Sequence, residues 1–259
     1  MADTYPFTSA LITGASSGIG EAMAHLLGEA GIPHVVVARR VARLDELAAR
    51  YSGVEVLAAD LSTAKGVAAV VARITDQRRP VDLVVNNAGF GTSGAFHTLD
   101  PDRLGDEIAV NVTALTRISR AALGVMVPRS RGYLLNVSSV VSFQPAPRLA
   151  VYAATKAYVT SLTESLHEEV RGTGVHVTAL CPGLTRTEFQ SVSNTDSYAG
   201  RYPSFAWLSA AEVAETGLHD VAKGRALSIP GVLYKGAVTA SSMTPRGLLR
   251  RVAGMVQRG

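Results

Sequence analysis

The stretch Thr13-Gly14-Ala15-Ser16-Ser17-Gly18-Ile19-Gly20 decides the fold, because it follows a short apolar run and precedes a helical pattern. Glycines in such a turn let the chain reverse tightly, let the backbone approach a pyrophosphate and let the helix pack on the strand. The free N–H groups at the helix start then face the phosphates. The spacing G-x-x-x-G-x-G differs from the general G-x-G-x-x-G fingerprint, and a tight turn without a ligand is the alternative. The pattern predicts a phosphate-binding turn made of Gly14, Ser16, Ser17, Gly18, Ile19 and Gly20.

Apolar runs and helical patterns alternate along the whole chain. Seven short runs rich in β-branched residues lie at 9–13, 34–38, 54–58, 82–86, 133–138, 175–180 and 226–229. Segments with helical spacing lie between them at 19–30, 43–51, 64–77, 102–126 and 151–171. Continuous apolar strands between helices indicate a parallel sheet covered on both faces. We therefore predict an α/β fold: a single-domain Rossmann fold over 1–259, with a doubly wound seven-stranded parallel sheet and helices on both faces.

The least regular stretch covers residues 186–209 and is rich in Ser, Thr, Tyr, Gly and Pro. It follows the sixth predicted strand, and the carboxyl edge of a doubly wound sheet is where ligands bind. Long segments without regular structure are often lids over a binding site. We expect a substrate lid here, with a plain surface loop as the alternative.

The composition is that of a globular protein, with 47% hydrophobic and 18% charged residues. We expect a cytoplasmic protein, because no secretory signal opens the sequence and one cysteine, Cys181, suits a reducing compartment. The net charge of +4 comes mostly from scattered arginines without a nucleic-acid-binding motif, so no nucleic-acid partner is predicted. The histidines show no metal-ligand spacing, and no metal is predicted.

The end of the second predicted strand, Val37-Ala38-Arg39-Arg40, indicates which dinucleotide would bind. NAD-dependent enzymes usually carry an acidic residue there to hold the ribose hydroxyls. A guanidinium suits a 2′-phosphate, because it is permanently charged and offers a planar fork of donors. We therefore predict that Arg39 and Arg40 favour NADP(H) over NAD(H); a solvated arginine pair is the alternative.

Tyr152 and Lys156 are four residues apart in a helical segment and so share one face. A tyrosine hydroxyl has a pKa near 10, and a neighbouring ammonium stabilises the phenolate and lowers that pKa. Such a pair can give a proton to a carbonyl oxygen or take one from an alcohol. By itself the Y-x-x-x-K pattern is more often a surface pair.

Other motifs at the predicted strand ends support a functional role for this pair. Asn136-Val137-Ser138-Ser139 ends the fifth strand, Asn86-Asn87-Ala88-Gly89 ends the fourth, and Pro182-Gly183 follows the sixth. Together with the glycine turn, these motifs resemble those of the short-chain dehydrogenase/reductase family in its ordinary form of about 250 residues. The resemblance runs from Ser9 to about Phe189.

The resemblance implies a role for each candidate catalytic residue. Tyr152 would be the general acid/base, and Ser139, at the family's interval of about 13 residues from the tyrosine, would hold the substrate oxygen. Lys156 would lower the tyrosine pKa and bind the nicotinamide ribose. Asn111 would hold a water that links the lysine to solvent, although a helix-packing amide is its alternative.

The resemblance also implies cofactor contacts. Asp60, with Leu61, would contact adenine, although Asp60 could equally cap the next helix. The remaining contacts would be made along the adenosine ribose by Asn87, Ala88 and Gly89, and around the nicotinamide by Pro182, Gly183, Thr185 and Thr187.

Two features depart from the family's common patterns. Ser16-Ser17 brings no basic residue into the turn, and Thr185 stands where an aliphatic residue is more usual.

These residues predict an NADP(H)-dependent oxidoreductase that interconverts a ketone or aldehyde and an alcohol. A non-catalytic NADP(H)-binding regulatory protein of the same fold is the alternative, and a retained-cofactor epimerase or dehydratase is a third hypothesis. A small, lipophilic substrate is expected from the candidate pocket walls Phe90, Phe143, Pro145, Pro147, Leu184, Phe189, Tyr198, Phe205 and Trp207.

The resemblance further implies a homodimer or homotetramer. The tail at 243–259 has the spacing of an amphipathic helix with several arginines. We expect this segment to dock on its own domain, with a subunit contact or a membrane contact as the alternatives.

Overall fold

The computed structural model describes residues 5–195, 202–245, 247 and 249–251. These residues form a seven-stranded parallel sheet in the order β3-β2-β1-β4-β5-β6-β9, and a separate parallel pair, β7 and β8. The strands are β1 Ala10–Thr13, β2 His34–Ala38, β3 Val54–Ala58, β4 Leu83–Asn86, β5 Gly132–Val137, β6 Val175–Leu180, β7 Thr185–Arg186, β8 Leu208–Ser209 and β9 Leu227–Ser228. The order reverses between β1 and β4, which opens a crevice at their carboxyl ends.

Helices cover both faces of this sheet. They are α1 Gly18–Glu29, α2 Val41–Arg50, α3 Ala64–Thr75, α4 Pro101–Ile108, α5 Leu115–Met126, α6 Ala150–Glu169, α7 Phe189–Val192, α8 Ala210–Ala222 and α9 Val232–Met243. Several begin at a side-chain cap, as at α3, where Thr63 accepts from the Gly66 N–H, and at α8, where Ser209 and Glu212 form a capping box. The predicted doubly wound α/β architecture is confirmed.

The two faces of the sheet carry separate apolar cores. One buries Ile12, Val36 and Leu135 against α1, α2 and α8; the other buries Leu11, Val35 and Leu134 against α3 and α5. Successive strand residues point to opposite faces, so a strand covered on both sides must be apolar throughout. This is why the strands read as continuous apolar runs.

Buried amides join the central strands to the helices near the carboxyl edge. Asn86 Nδ2 donates to Asn136 Oδ1 (2.9 Å) and to Ser119 Oγ (3.0 Å), and Asn136 Nδ2 donates to Thr163 Oγ1 (3.0 Å). Buried polar groups of this kind are costly unless paired. Asn86 is therefore occupied within the core, and the residues after it reach the crevice.

The structure corrects several bounds. The last sheet strand is only Leu227–Ser228, shorter than the predicted 226–229, and α8 and α9 were not predicted. The helical pattern predicted for 102–126 is α4 and α5 joined by a π-helical segment, Ala109–Ala114. In the predicted lid, residues 196–201 lie outside the described residues, whereas β7, α7, β8 and a short 3₁₀ helix, Ser204–Ala206, are ordered elements. Most of the predicted amphipathic tail also lies outside them.

Candidate active site

The glycine turn is built by two residues with left-handed backbone geometry. Gly14 has φ +67° and Gly18 has φ +62°, values that side chains other than glycine rarely adopt. A Cβ at Gly14 would lie 2.8 Å from the Ala88 Cα, and one at Gly18 would lie 3.1 Å from the Thr187 Cβ. The turn therefore touches the loop after β4 and the loop after β6, and these three segments enclose one end of the crevice.

Asn87 supports the turn from below. Its Nδ2 donates to the carbonyls of Thr13 (2.9 Å) and Gly14 (3.1 Å), and its N–H donates to Thr13 Oγ1 (3.0 Å). The Asn87 side chain thus connects β1 to the end of β4. It lines the crevice together with Ala88 and Gly89, as predicted for this group.

The crevice is a single cleft of about 1190 Å³. That exceeds the usual range of about 300–1,000 Å³ for a small-molecule site. Gly20 and Asn111 lie behind the cleft wall. The other predicted site residues line it: Gly14, Ser16, Ser17, Gly18, Ile19, Arg39, Arg40, Asp60, Leu61, Asn87, Ala88, Gly89, Ser139, Tyr152, Lys156, Pro182, Gly183, Thr185 and Thr187.

The two arginines after β2 differ in their surroundings. Arg40 donates through Nε to Ser16 Oγ (3.2 Å), through Nη2 to the Ser16 carbonyl (3.1 Å) and through Nη1 to Glu188 Oε2 (2.8 Å). Arg40 therefore joins the glycine turn to the segment before α7, and its hydrogen bond to Glu188, assisted by its charge, keeps the pKa of that carboxyl below the usual value. Arg39 is an exposed residue, and its guanidinium lies close enough to Asp60 to help lower the pKa of that carboxyl.

Asp60 makes a local turn at the start of the following loop. Its Oδ1 accepts from the Ser62 N–H (3.0 Å) and from the Ser62 hydroxyl (2.9 Å), and these bonds are the main reason why its pKa is lowered. The cap of α3 is Thr63, whose hydroxyl accepts from the Gly66 N–H and donates to the Asp60 carbonyl. The Asp60 side chain is therefore not the helix cap that sequence reasoning left open.

Tyr152 and Lys156 lie one turn apart on α6 at the other end of the cleft, with Lys156 Nζ 5.7 Å from the Tyr152 ring centroid. Lys156 Nζ donates to the Val137 carbonyl at the end of β5 (2.8 Å), which fixes the long side chain beneath the site. Both residues are buried, with 8% and 4% of their surface exposed. Burial removes water from both side chains, so a charge on either one interacts strongly with its neighbours.

Ser139 follows the end of β5 by two residues, and its side chain is close enough to the Tyr152 hydroxyl to act toward lowering the pKa of that group, although outside hydrogen-bond geometry. Its Oγ also accepts from the Val141 N–H (3.3 Å). Ser138 has a different position, because its Oγ donates to the Lys156 carbonyl (2.8 Å) and pairs with Thr160 Oγ1 (2.7 Å). The structure thus places Ser139 in the cleft and uses Ser138 to hold α6 against β5.

Asn111 lies within the π-helical segment, a feature found often at functional sites. It is buried and its side chain makes three hydrogen bonds: Oδ1 accepts from the Phe90 N–H, and Nδ2 donates to the Phe90 carbonyl and to Thr155 Oγ1. These bonds attach the loop after β4 to α6. The amide lies directly behind Lys156, since a Cβ at Gly89 would be 2.9 Å from Asn111 Oδ1 and 3.3 Å from Lys156 Nζ.

The proton affinities in this cluster follow mainly from burial. Burial lowers the pKa of Lys156 to about 8 and raises the pKa of Tyr152 above its ordinary value of 10. The nearby Ser139 side chain acts against the rise at Tyr152, whereas the Glu107 charge adds to it. Desolvation of the phenolate is the largest of these effects. The lowering of the tyrosine pKa by Lys156 stays a prediction.

The substrate side of the cleft is apolar and includes most of the predicted walls. Phe90, Pro145, Pro147, Leu184, Phe189 and Trp207 line it. Phe143 and Phe205 were wrongly predicted, since neither lines the cleft and Phe205 is 78% exposed on the outer side. Tyr198 lies outside the described residues.

Sequence reasoning missed Tyr234, which lines the cleft from α9. Its hydroxyl accepts from the Leu184 N–H (3.0 Å) and donates to the Ala206 carbonyl (2.7 Å). Through these hydrogen bonds Tyr234 connects α9 to the loop after β6 and to the predicted lid. No motif in the sequence marks it, because the contact joins segments that lie far apart along the chain.

Three further observations concern metal ligands, Cys181 and membrane-spanning helices. The described residues contain no group of three or more His, Cys, Asp or Glu side chains placed to hold a metal ion. Cys181 is fully buried, and burial raises the pKa of its thiol to about 12, so it packs as a small apolar side chain. Over the same part of the chain, no helix has the length and apolar character needed to cross a membrane.

Comparisons with known proteins agree with this geometry. The sequence profile of the short chain dehydrogenase family matches residues 8–197. An uncharacterised oxidoreductase of Myxococcus xanthus is 35% identical over 192 residues, which cover 73% of this chain and 76% of that protein.

Two solved structures show the same similarity over longer stretches. The short-chain dehydrogenase from Sphingobium yanoikuyae in complex with NADPH has a TM-score of 0.80 at 33% identity, covering 92% of this chain and 96% of that one. The bulky-bulky ketone specific alcohol dehydrogenase from Comamonas testosteroni has a TM-score of 0.77 at 30% identity, covering 92% and 95%. With this sheet order, this cleft and these matches, the chain belongs to the short-chain dehydrogenase/reductase family of oxidoreductases.

Proposed function

We propose that the protein is an NADP(H)-dependent oxidoreductase that interconverts a ketone or aldehyde and the corresponding alcohol, with Tyr152 as general acid/base. One observation carries this proposal. Ser139, from the segment after β5, and Tyr152 and Lys156, from α6, lie at one end of the cleft whose other end is the glycine turn. A dinucleotide lying along the cleft would therefore end beside the tyrosine.

The 2′-phosphate of the cofactor is assigned to Arg39. Arg40 already donates to Ser16 and Glu188, whereas Arg39 is exposed at the end of β2 beside Asp60. The β2 end carries no carboxylate that would repel a phosphate. The NADPH in the Sphingobium yanoikuyae structure supports the same preference.

A bound NADP(H) would supply or accept the hydride at the carbon that bears the reacting oxygen. During reduction the Ser139 hydroxyl holds the carbonyl oxygen, and the Tyr152 hydroxyl gives that oxygen its proton. Lys156 stays beneath Tyr152 through its bond to the Val137 carbonyl, where its charge opposes the cost of forming a buried phenolate. In the oxidation direction the same groups act in reverse, with the Tyr152 phenolate removing the proton from the alcohol.

The substrate is proposed to be small and lipophilic. The cleft wall beyond Tyr152 is formed by Phe90, Phe189 and Trp207, with proline and leucine side chains around them. Apolar walls with a few polar groups at one end orient a ligand by its oxygen. The ketone specificity of the Comamonas testosteroni relative supports this class of substrate.

A homodimer is proposed through the exposed face formed by α4, the π-helical segment after it and α6. Phe96, Ile108 and Tyr158 are large apolar residues that are 63%, 45% and 40% exposed, and they surround one apolar groove between α4 and α6. Such patches mark contact surfaces. Light scattering of the wild type and of Tyr158→Arg tests this, with the variant expected to be monomeric.

The activity is tested by a screen of ketones and alcohols with NADPH and NADP⁺, read through the absorbance of the reduced nicotinamide. Tyr152→Phe is expected to abolish turnover while NADPH still binds, and normal turnover in that variant would overturn the mechanism. If no substrate reacts although NADPH binds, the non-catalytic binding protein is the better description.

Arg39→Asp tests the cofactor assignment separately. It is expected to lower the ratio of kcat/KM with NADPH to that with NADH by about 100-fold, since a charge-assisted phosphate contact is replaced by a repulsive one. Arg43→Asp, in the exposed part of α2, is the matched control. An unchanged ratio in Arg39→Asp would show that the 2′-phosphate lies elsewhere.

A further inference from the structure

The carboxyl of Glu107 is fully buried on the last turn of α4. Within the described residues, neither Oε1 nor Oε2 has a hydrogen-bond partner. A buried carboxyl without a partner is unfavourable, and an apolar residue of similar size would fill the position at less cost. The group therefore needs an explanation other than packing.

Two atoms beside Glu107 also lack a hydrogen bond within the described residues. Thr92 Oγ1 and Arg103 Nε are buried and lack a hydrogen bond within the described part of the chain. The Thr92 hydroxyl faces the carboxyl closely enough to lower its pKa, although outside hydrogen-bond geometry, and Arg103 stands one turn earlier on α4. Of six buried unpartnered side-chain atoms in the described residues, four belong to these three side chains. Such a concentration of unmet polar groups is a setting that ordered water occupies.

This cluster, Thr92, Arg103 and Glu107, adjoins the catalytic pair through the loop after β4. A Cβ at Gly89 would lie 3.3 Å from Lys156 Nζ, and one at Gly91 would lie 3.1 Å from the Tyr152 ring. Thr92 is the next residue of the same loop, and Asn111 follows Glu107 by about one helical turn. The cluster thus adjoins Tyr152 and Lys156 through this loop, and its Arg103 guanidinium packs over the Phe90 ring, 5.2 Å from the centroid, at the cleft wall.

We propose that Glu107 is a positioning residue that acts through Lys156. It exchanges a proton with Lys156, through water held by the cluster, and so returns a proton to Tyr152 in each turnover. The inference rests on the proposed function. During reduction the Tyr152 O–H bond breaks as its proton passes to the substrate oxygen. The phenolate takes a proton from the Lys156 ammonium, the neutral amine takes one from the Glu107 carboxylic acid, and the carboxylate regains one from solvent. One proton from water is consumed for each carbonyl reduced.

The charges around the carboxyl support an exchangeable proton. Burial raises the pKa of Glu107, while Thr92, Arg103 and Lys156 act in the opposite direction more weakly. Burial lowers the pKa of Lys156 to about 8, so the two groups approach each other in proton affinity. Tyr152 is the remaining titratable group that interacts with the carboxyl, and the Glu107 charge raises the tyrosine pKa. Proton transfer between groups of similar pKa needs little driving force.

The test compares Glu107→Gln, which keeps the shape but removes the proton, with Glu107→Asp, which keeps the carboxyl. Glu169→Gln removes an exposed carboxylate from the far end of α6 and is the matched control. For carbonyl reduction by NADPH, we expect the Gln variant to lose kcat by about 10-fold, which is less than the loss of about 100-fold or more for a direct general acid or base, because a relay member acts through another group. Its kcat is expected to show a larger solvent deuterium effect and an altered pH profile, with the NADPH Kd unchanged and the Tm not lowered. The Asp variant should keep the wild-type pH profile.

Wild-type kcat and pH profile in Glu107→Gln would overturn the inference. So would an equal loss of kcat in the Gln and Asp variants with a lower Tm, since that is the result of a packing role. Tyr152→Phe, measured alongside, distinguishes a failure of this inference from a failure of the proposed function. If it is inactive while Glu107→Gln is normal, this inference alone fails; if it turns over normally, the proposed function fails.

Discussion

Gly91 is the residue whose enlargement tests the placement of Tyr152 most directly. A Cβ at Gly91 would lie 3.1 Å from both Cγ and Cδ2 of the Tyr152 ring and 3.4 Å from Cζ of Phe189. The Tyr152 ring packs against Phe189, with 5.2 Å between centroids, so it has little room to retreat. The Gly91→Ala variant therefore forces the tyrosine to move by a few tenths of an ångström.

Such a displacement has a measurable size. Overpacking by one methyl group costs about 1 kcal/mol at the low end of its range, which lowers the Tm of a domain of this size by about 2–4 °C. A misplacement of 1 Å at a reacting group can cost about 100-fold in rate, so a few tenths correspond to a decrease in kcat of about 3–10-fold. The NADPH Kd is expected to stay unchanged, since Gly91 does not line the cleft.

Steady-state reduction of a ketone substrate, calorimetry and NADPH titration together measure these effects. Gly105→Ala is the control, because the residue lies on α4 with no atom within 4 Å of an added Cβ. That variant should keep wild-type kcat and gain up to about 1 kcal/mol from helix propensity. A fully active Gly91→Ala enzyme with unchanged Tm would refute the close contact between this loop and Tyr152.

Two further predictions concern pH and stability. Because burial raises the pKa of Tyr152 and oxidation uses its phenolate, kcat/KM for alcohol oxidation should rise with pH through the alkaline range. Reduction uses the phenol, so its kcat/KM should be constant near neutral pH and fall at high pH. A pH-independent oxidation rate would contradict this. Asp220 is buried and accepts from Arg225 Nη1 and Ser228 Oγ, both at 2.7 Å, so Asp220→Ala should lower the free energy of unfolding by about 2–3 kcal/mol. Urea titration measures that loss, and an unshifted midpoint would show that β9 is held by other contacts.

The fold was readable from the sequence because its signals are local. A strand buried on both faces must be apolar along its whole length, and a glycine turn between strand and helix must carry residues such as Gly14 and Gly18 at positive φ. These signals predicted the position of every strand in the seven-stranded sheet to within about two residues. Helices α8 and α9 went unpredicted, since they follow the motif-bearing part of the chain.

The candidate site was only partly readable. Motifs at the strand ends named the side chains that meet in the cleft, because parallel strands bring their carboxyl ends to one edge. No motif marked Tyr234 or Glu107. Tyr234 bridges segments that lie far apart in the sequence. Glu107 is notable because its carboxyl has no hydrogen-bond partner within the described residues. Both properties depend on which surfaces fold against each other.

The sequence by itself determined the α/β class, a glycine turn of the kind that binds phosphates and the grouping of Ser139, Tyr152 and Lys156. The tertiary structure decided how Arg39 and Arg40 differ, since the Arg40 donors are engaged by Ser16 and Glu188 whereas Arg39 is exposed beside Asp60. It also decided that burial dominates at Tyr152 and raises the pKa of its hydroxyl. Residue types and their spacing are local properties of a chain, whereas desolvation and pairing depend on everything that folding brings around a group.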